Sequence, residues 1–148
     1  MDLRQRLDAD MKDALRSKDT LRLETIRGVR GGVRNREIEL GEALDEEGIQ
    51  RVIRALVKQR ADSIEQYRGA GRDELADKES AERAVLEAYL PAAPGAGDIE
   101  KVVREVIAEL GASSMRDMGR VMKPVLARLG PAADGKLVSE MVKRELGS

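Results

Sequence analysis

Residues 91–97 read PAAPGAG, a composition that differs from the rest of the chain. The segment has no charged residue and no large apolar side chain, and its two prolines and two glycines forbid a continuous helix. We therefore predict that residues 92–97 form a linker between an N-terminal module, residues 1–91, and a C-terminal tail module, residues 98–148. A chain of 148 residues has room for two small modules.

Apolar residues recur with helical spacing on both sides of this linker. In the N-terminal module the pattern predicts four helices. The first covers about residues 2–17, the second begins after residue 19 or 20 and continues to about 40, the third is capped by Asp45 and ends at 69–71, and the fourth covers about 73–90. In the tail module it predicts three shorter helices, whose N-caps are Asp98, Ser113 or Ser114, and Asp134. Pro124 lies inside the second of these, so we expect a kink or an early end there.

The composition indicates how such helices pack. Apolar residues make up 41% of the chain, but aromatic residues only 1%. A core of aliphatic side chains suits packed helices, whereas a β-sandwich needs aromatic and β-branched strands. We therefore predict an all-α fold with a four-helix N-terminal module and a three-helix tail. Gly28, Gly31 and Gly32 indicate either a close helix crossing or a break in the second helix. The predicted core includes leucines near helix ends, namely Leu15, Leu40, Leu75, Leu110 and Leu137.

The residue types that most often carry catalysis are absent from the sequence. The chain has no histidine and no cysteine, which commonly serve as general bases, thiol nucleophiles and zinc ligands. It has no glycine-rich phosphate loop followed by Lys-Ser or Lys-Thr. Ser113 and Ser114 have no base beside them, and helix capping explains them. We therefore expect no catalytic residues, no metal site and no cofactor, so an autonomous enzyme is disfavoured.

Charge and hydropathy limit the partners and the location. The net charge of −1 gives no overall attraction to nucleic acid or anionic lipid, so such binding needs a local basic patch. The first residues, MDLRQR, lack the apolar core of a signal peptide. No apolar run approaches the roughly 20 residues that span a bilayer. We expect a cytoplasmic protein with no membrane partner.

Two groups of basic residues are candidates for contacting nucleic acid. On the second helix, Arg27, Arg30 and Arg34 fall within about 60° of one another and form a plausible phosphate-contacting ridge. The alternative is a solvated face whose arginines pair with acidic residues of neighbouring helices. The tail module also carries a basic set, for which a solvated surface is an equal alternative; its members are Arg116, Arg120, Lys123, Arg128 and Lys136.

Arg60 lies on the apolar stripe of the third helix, between Leu56 and Ile64. A charge at such a position needs a partner. We predict an internal ion pair with Glu79 or Glu82 of the next helix in preference to a ligand-binding arginine.

The tail contains motifs specific enough to indicate a family. Residues 111–123, GASSMRDMGRVMK, and residues 133–138, ADGKLV, resemble the YqeY family. They are also similar to the C-terminal tail domain of the B subunit of glutamyl/aspartyl-tRNA amidotransferase, the GatB/YqeY domain. In the N-terminal module, RADSIEQY at 60–67, AGR at 70–72 and YLP at 89–91 match the pattern of stand-alone YqeY proteins. The resemblance therefore covers nearly the whole chain.

The resemblance implies an association with tRNA-dependent amidation, in which glutamine donates the nitrogen. In the amidotransferase the tail domain helps to hold the tRNA, while a carbon–nitrogen ligase reaction takes place in other domains. We therefore expect a non-catalytic accessory protein that binds tRNA through the tail. The alternative is a protein-interaction module that docks on an amidotransferase or another tRNA enzyme. One departure from the family pattern is that relatives often place a basic residue shortly before the Ala-Asp-Gly turn, where this chain reads GPAA at 130–133. If that residue touches phosphate in relatives, the resemblance implies weaker tRNA contact here, or none.

Overall fold

The computed structural model describes residues 1–147, which separate into two compact units, one ending at Leu90 and the other beginning at Pro91. All regular structure in these residues is helical, so the predicted all-α class is confirmed. The first unit holds α1 Leu3–Arg16, α2 Thr20–Leu40, α3 Glu46–Gly69 and α4 Asp73–Glu87. The second holds α5 Ala96–Leu110, a 3-10 turn at Met115–Asp117, α6 Met118–Leu129 and α7 Gly135–Gly147. None of the helices in residues 1–147 is long and apolar enough to cross a membrane.

Acidic caps begin three of the helices in the first unit. The Asp2 carboxylate accepts the backbone N–H of Gln5 at 2.8 Å, and the Gln5 side chain accepts the Asp2 N–H at 3.0 Å. Asp19 caps α2. Asp45 caps α3 as predicted, accepting the N–H of Gly48 at 2.8 Å. These side chains satisfy backbone donors that have no partner within the helix.

The core of the first unit is aliphatic and draws on all four helices. It is centred on fully buried side chains, among them Ile26, Val29, Ile53 and Leu86. The predicted burial of Leu15, Leu40 and Leu75 is wrong, because these side chains are 59%, 46% and 40% exposed. Each lies in the first or last turn of its helix. Helical periodicity gives the direction of such a side chain but not whether a neighbouring helix extends far enough to cover it.

The glycines of α2 do not interrupt the helix, which is continuous from Thr20 to Leu40. A β-carbon added at Gly32 would lie 3.0 Å from Val52 Cγ1 of α3, whereas one at Gly28 or Gly31 would meet nothing within 4 Å. Of the two predicted alternatives, the structure therefore shows a close helix approach rather than a break, and Gly32 is the residue that permits it.

The core of the tail unit consists largely of valines from α5, α6 and α7, including Val103, Val121, Val125, Val138 and Val142, all 0% exposed. Leu110 and Leu137, predicted to face inward, are 37% and 51% exposed. Both lie in a terminal turn, as do the exposed leucines of the first unit.

The helix ends of the tail agree only in part with the sequence-based prediction. Gly111 ends α5 with φ +64°, and Asp134 caps α7 by accepting the N–H of Lys136 at 2.9 Å. Asp98 is not the N-cap of α5: the helix begins at Ala96, and the Asp98 carboxylate accepts the N–H of Gly95 at 3.2 Å. Pro124 does not end α6, which continues to Leu129. A proline thus lies within a helix whose apolar face is packed on both sides of it.

Candidate nucleic-acid interface

The solvent-facing side of α6 is basic. The opposite side is buried through Val121 and Val125. At 100° per residue, Lys123 lies about 200° from Val121 around the helix axis, and Arg120 lies about 100° from it. Both side chains are exposed, as is Arg116 in the 3-10 turn that leads directly into α6. The sequence 116–123 therefore presents three basic side chains away from the tail core.

Two members of the predicted tail set have acidic partners. Arg120 Nη2 lies 2.9 Å from Asp117 Oδ1, one turn earlier. Arg128 makes two contacts with the Glu109 carboxylate, one of them at 3.2 Å between Nη1 and Oε1 and the other between Nη2 and Oε2. Each of these pairs cancels one positive charge of the surface.

The pKa values of both carboxylates keep these pairs charged. The backbone N–H of Ser113 and the guanidinium of Arg120 lower the pKa of Asp117 below its usual value. The hydrogen bonds from Arg128 lower the pKa of Glu109. Both acids are consequently ionised at neutral pH, so Arg120 and Arg128 add little net charge to the face.

Three members of the set have no such partner. Arg116, Lys123 and Lys136 are exposed and make no ion pair with any residue in the range 1–147. They lie on the 3-10 turn, α6 and the first turn of α7, and these three elements contact one another. The partly positive N-terminus of α7 adds to the charge of Lys136. The structure thus distinguishes three free cations from the two that the tail itself neutralises.

The predicted arginine ridge of α2 is divided in a similar way. Arg27 Nη1 lies 3.3 Å from Glu24 on the same helix, and Arg30 Nε lies 3.2 Å from Asp8 of α1. Arg34 makes no ion pair with residues 1–147. The three side chains are all exposed. The predicted alternative, pairing with acidic residues of neighbouring helices, is correct for Arg30, whereas Arg27 pairs with a residue of its own helix.

The internal ion pair predicted for Arg60 is confirmed. Its Nε lies 3.0 Å from Glu82 Oε2 and 3.4 Å from Glu79 Oε2. The three side chains are only 16–22% exposed. Arg60 therefore links α3 to α4 and is not available to a ligand.

A polar network that the sequence did not predict surrounds Tyr89, which is 6% exposed. Its hydroxyl donates to Asp10 Oδ2 at 2.5 Å, and Arg22 Nη2 lies 3.3 Å from Asp10 Oδ1. The guanidinium of Arg6 lies 4.7 Å from the centre of the tyrosine ring. Burial, followed by the bond to Asp10, raises the pKa of Tyr89 far above its usual value. The network joins α1, α2 and the segment after α4, and its role is structural.

Comparison with known proteins adds to this geometry. A family model described as Yqey-like protein matches residues 4–146, nearly the full length. The chain belongs to the YqeY family. The resemblance stated from the tail motifs is therefore confirmed for the family.

Curated relatives of this YqeY protein carry the name "Altered inheritance of mitochondria protein 41, mitochondrial". The one from Pyrenophora tritici-repentis is 31% identical over 146 residues, which cover 97% of this chain and 80% of the relative. The one from Lachancea thermotolerans is 36% identical over 111 residues, or 73% of this chain and 59% of the relative. The one from Saccharomyces cerevisiae strain YJM789 is 31% identical over 68% of this chain and 56% of the relative. The matches to the two yeast proteins thus span little more than half of their lengths.

These names contradict the predicted cytoplasmic location. The relatives are named mitochondrial, so that prediction is wrong. It rested on the lack of an apolar signal-peptide core and of a membrane-spanning run. Neither feature separates the cytoplasm from the interior of an organelle, because proteins of both compartments lack them.

Proposed function

We propose that this YqeY protein is a non-catalytic accessory of tRNA-dependent amidotransfer, in which glutamine is the amide donor, and that it binds tRNA through its tail unit. The observation that carries the proposal is the free basic triad of the tail, Arg116, Lys123 and Lys136, three exposed cations without an acidic partner in residues 1–147. All three lie within the two motifs that resemble the tail of the amidotransferase B subunit.

The chemistry of the tail favours contacts to phosphate over reading of bases. Base stacking needs exposed aromatic side chains, but both tyrosines of the chain lie in the first unit. Tyr89 is buried, and Tyr67 is partly buried. Lysine and arginine on a surface without aromatics bind the backbone through charge and shape. Arg120 and Arg128 contribute less, because binding RNA there requires breaking or sharing an existing ion pair.

A second candidate rests on a groove in the same unit. It has a volume of about 270 Å³ and is lined by apolar side chains of α5 and α7 that include Ile99, Leu137 and Met141. Leu137 is 51% exposed there. An apolar surface of this kind supports the alternative of a module that docks on an amidotransferase or another tRNA enzyme.

Salt dependence separates the two candidates. Phosphate binding releases counterions, so affinity falls steeply with salt, whereas an apolar protein interface changes little. Labelled tRNA is titrated with the full chain by fluorescence anisotropy at several salt concentrations. Three phosphate contacts give a slope of log affinity against log salt of roughly −2 to −3.

Two triple variants of equal charge make the experiment specific. In the first, alanine replaces the free basic triad, Arg116, Lys123 and Lys136. In the control, it replaces the exposed residues Lys58, Lys78 and Lys101. We expect the first variant to lose most of the affinity and of the salt slope, and the control to keep both. Equal losses in the two variants, or no binding of tRNA at low salt, refute the proposal and favour a protein partner.

A further inference from the structure

The first unit contains a surface groove lined by charged side chains in which arginines outnumber carboxylates. The groove, of about 180 Å³, lies between α1, α2 and the beginning of α3, over a floor of core aliphatic side chains. Its charged lining consists of Arg4, Asp8, Arg30, Arg34 and Glu37. Three arginines therefore face two carboxylates, which leaves one positive charge in excess.

The two carboxylates of the groove are already engaged. Glu37 Oε2 accepts hydrogen bonds from Arg4 Nη2 and from the backbone N–H of Leu44, both at 2.8 Å. These bonds lower the pKa of Glu37, so it remains ionised and bound to them. Asp8 Oδ1 lies 3.2 Å from Arg30 Nε. Within residues 1–147, neither acid forms an ion pair with Arg34.

Arg34 is the unbalanced charge of this groove. It lies one helical turn after Arg30 and one turn before Glu37, the spacing at which side chains of a helix meet. Glu37 would be its natural partner, but it is held by Arg4 and by the loop before α3. Arg34 makes no ion pair within residues 1–147. The groove therefore offers an exposed guanidinium group that no carboxylate of residues 1–147 pairs with.

We propose that this groove binds a single oxyanion of the phosphate class, held by Arg34 with Arg30 and Arg4 at its sides. A guanidinium presents paired donors that match the oxygen atoms of a phosphate, and one bound anion cancels the excess charge. The volume lies below the roughly 300–1,000 Å³ of pockets for drug-sized ligands, which suits a single anionic group. The site lies outside the tail and does not depend on the function proposed for it.

The test uses the ¹⁵N-labelled full chain and inorganic phosphate as the probe. Amide shifts are followed by NMR during titration with sodium phosphate, against sodium chloride at matched ionic strength. Arg34→Gln is compared with Arg36→Gln, a control on the same helix whose arginine pairs with Glu39 and does not line the groove. Arg34 is exposed and without an ion pair, so its replacement leaves the fold intact.

We expect saturable shifts in α1, α2 and the start of α3. Arg34→Gln should raise the Kd for phosphate at least tenfold, and Arg36→Gln should change it less than twofold. The absence of saturable shifts, or an equal effect of the two variants, overturns the proposal.

The anion can be free phosphate or a phosphate of an RNA backbone, and tRNA titrations of the same variants distinguish these sources. A loss of tRNA affinity in Arg34→Gln, with phosphate competing in the parent protein, assigns the site to the RNA backbone. Unchanged tRNA affinity together with tenfold weaker phosphate binding assigns it to free phosphate. Either result supports an oxyanion site at Arg34.

Discussion

Replacement of Tyr89 by phenylalanine isolates the energy of one hydrogen bond in the polar network that joins α1, α2 and the segment after α4. The substitution keeps the ring, its burial and its contact with the guanidinium of Arg6, and it removes only the hydroxyl. That hydroxyl donates to Asp10 Oδ2 at 2.5 Å, across a sequence separation of 79 residues. Asp10 retains its ion pair with Arg22 at 3.3 Å.

The expected loss follows from the type of hydrogen bond. A hydrogen bond to a charged group contributes about 1.5–3 kcal/mol net, more than one between neutral groups. Because Tyr89 is 6% exposed, water cannot replace the lost donor fully. We therefore expect the free energy of unfolding of the first unit to fall by about 2 kcal/mol. With a urea m-value of about 2 kcal/mol/M, the midpoint falls by about 1 M.

Tyrosine fluorescence during urea unfolding measures this effect in the first unit alone, because both tyrosines lie there. Tyr67 reports on the Tyr89→Phe protein. The control is Tyr67→Phe, in which Tyr89 is the reporter. The Tyr67 side chain is partly buried, and its hydroxyl makes no hydrogen bond with residues 1–147. A midpoint for Tyr89→Phe no lower than that of Tyr67→Phe shows that the hydroxyl contributes nothing and refutes the reasoning.

Three further outcomes follow from the first unit, each measured by urea unfolding, with circular dichroism as the signal at alkaline pH because ionised tyrosine loses its fluorescence. The folded state raises the pKa of Tyr89, so this residue ionises at lower pH in the unfolded chain than in the folded one. The free energy of unfolding therefore falls as the pH rises above about 10. In Tyr89→Phe it should fall less over the same pH range. Gly31→Ala should raise the free energy of unfolding by about 1 kcal/mol through helix propensity. Gly32→Ala should raise it less or lower it, because the added β-carbon would lie 3.0 Å from a valine side chain of α3. Equal gains in the two variants contradict the close approach of α2 and α3. Arg60→Met should lower the free energy of unfolding by about 1–2 kcal/mol, because it leaves two glutamates without a cation. This loss lies between those expected for breaking an exposed ion pair and a buried one. Arg51→Met, which removes an exposed pair within one helix, should cost less than about 0.5 kcal/mol.

Local signals in the sequence predicted the helices well. Asp45, Gly111 and Asp134 lie at the helix ends where they were expected, because capping depends on contacts between residues two to four apart. The partner of Arg60 was predicted as well, since an arginine on an apolar stripe must find an acid on the helix that packs against it. The prediction that Asp98 is the N-cap of α5 was wrong, because the helix begins at Ala96 and Asp98 is its third residue.

The candidate sites depended more strongly on tertiary structure. The sequence gives eight basic residues in two groups, and nothing in their spacing separates those with acidic partners from those without. Arg128 is neutralised by Glu109, which is 19 residues away on another helix, while Lys123 on the same helix as Arg128 has no ion pair within residues 1–147. Arg34 is unbalanced only because Arg4, from a different helix, holds the glutamate that lies one turn from it.

The sequence by itself determined the all-α class, the approximate positions of the helices, the family and the absence of histidine and cysteine. These properties follow from composition and from interactions over one or two helical turns. Only the tertiary structure decided whether leucines in the terminal turns of helices are buried, where α2 and α3 approach closely, and that the Tyr89 hydroxyl bonds to Asp10. It also decided which cations lack a partner. The reason is physical, because burial and charge balance depend on atoms from residues that are far apart in the sequence. A periodic pattern predicts on which face of a helix a side chain lies, but not which residues of other helices it contacts.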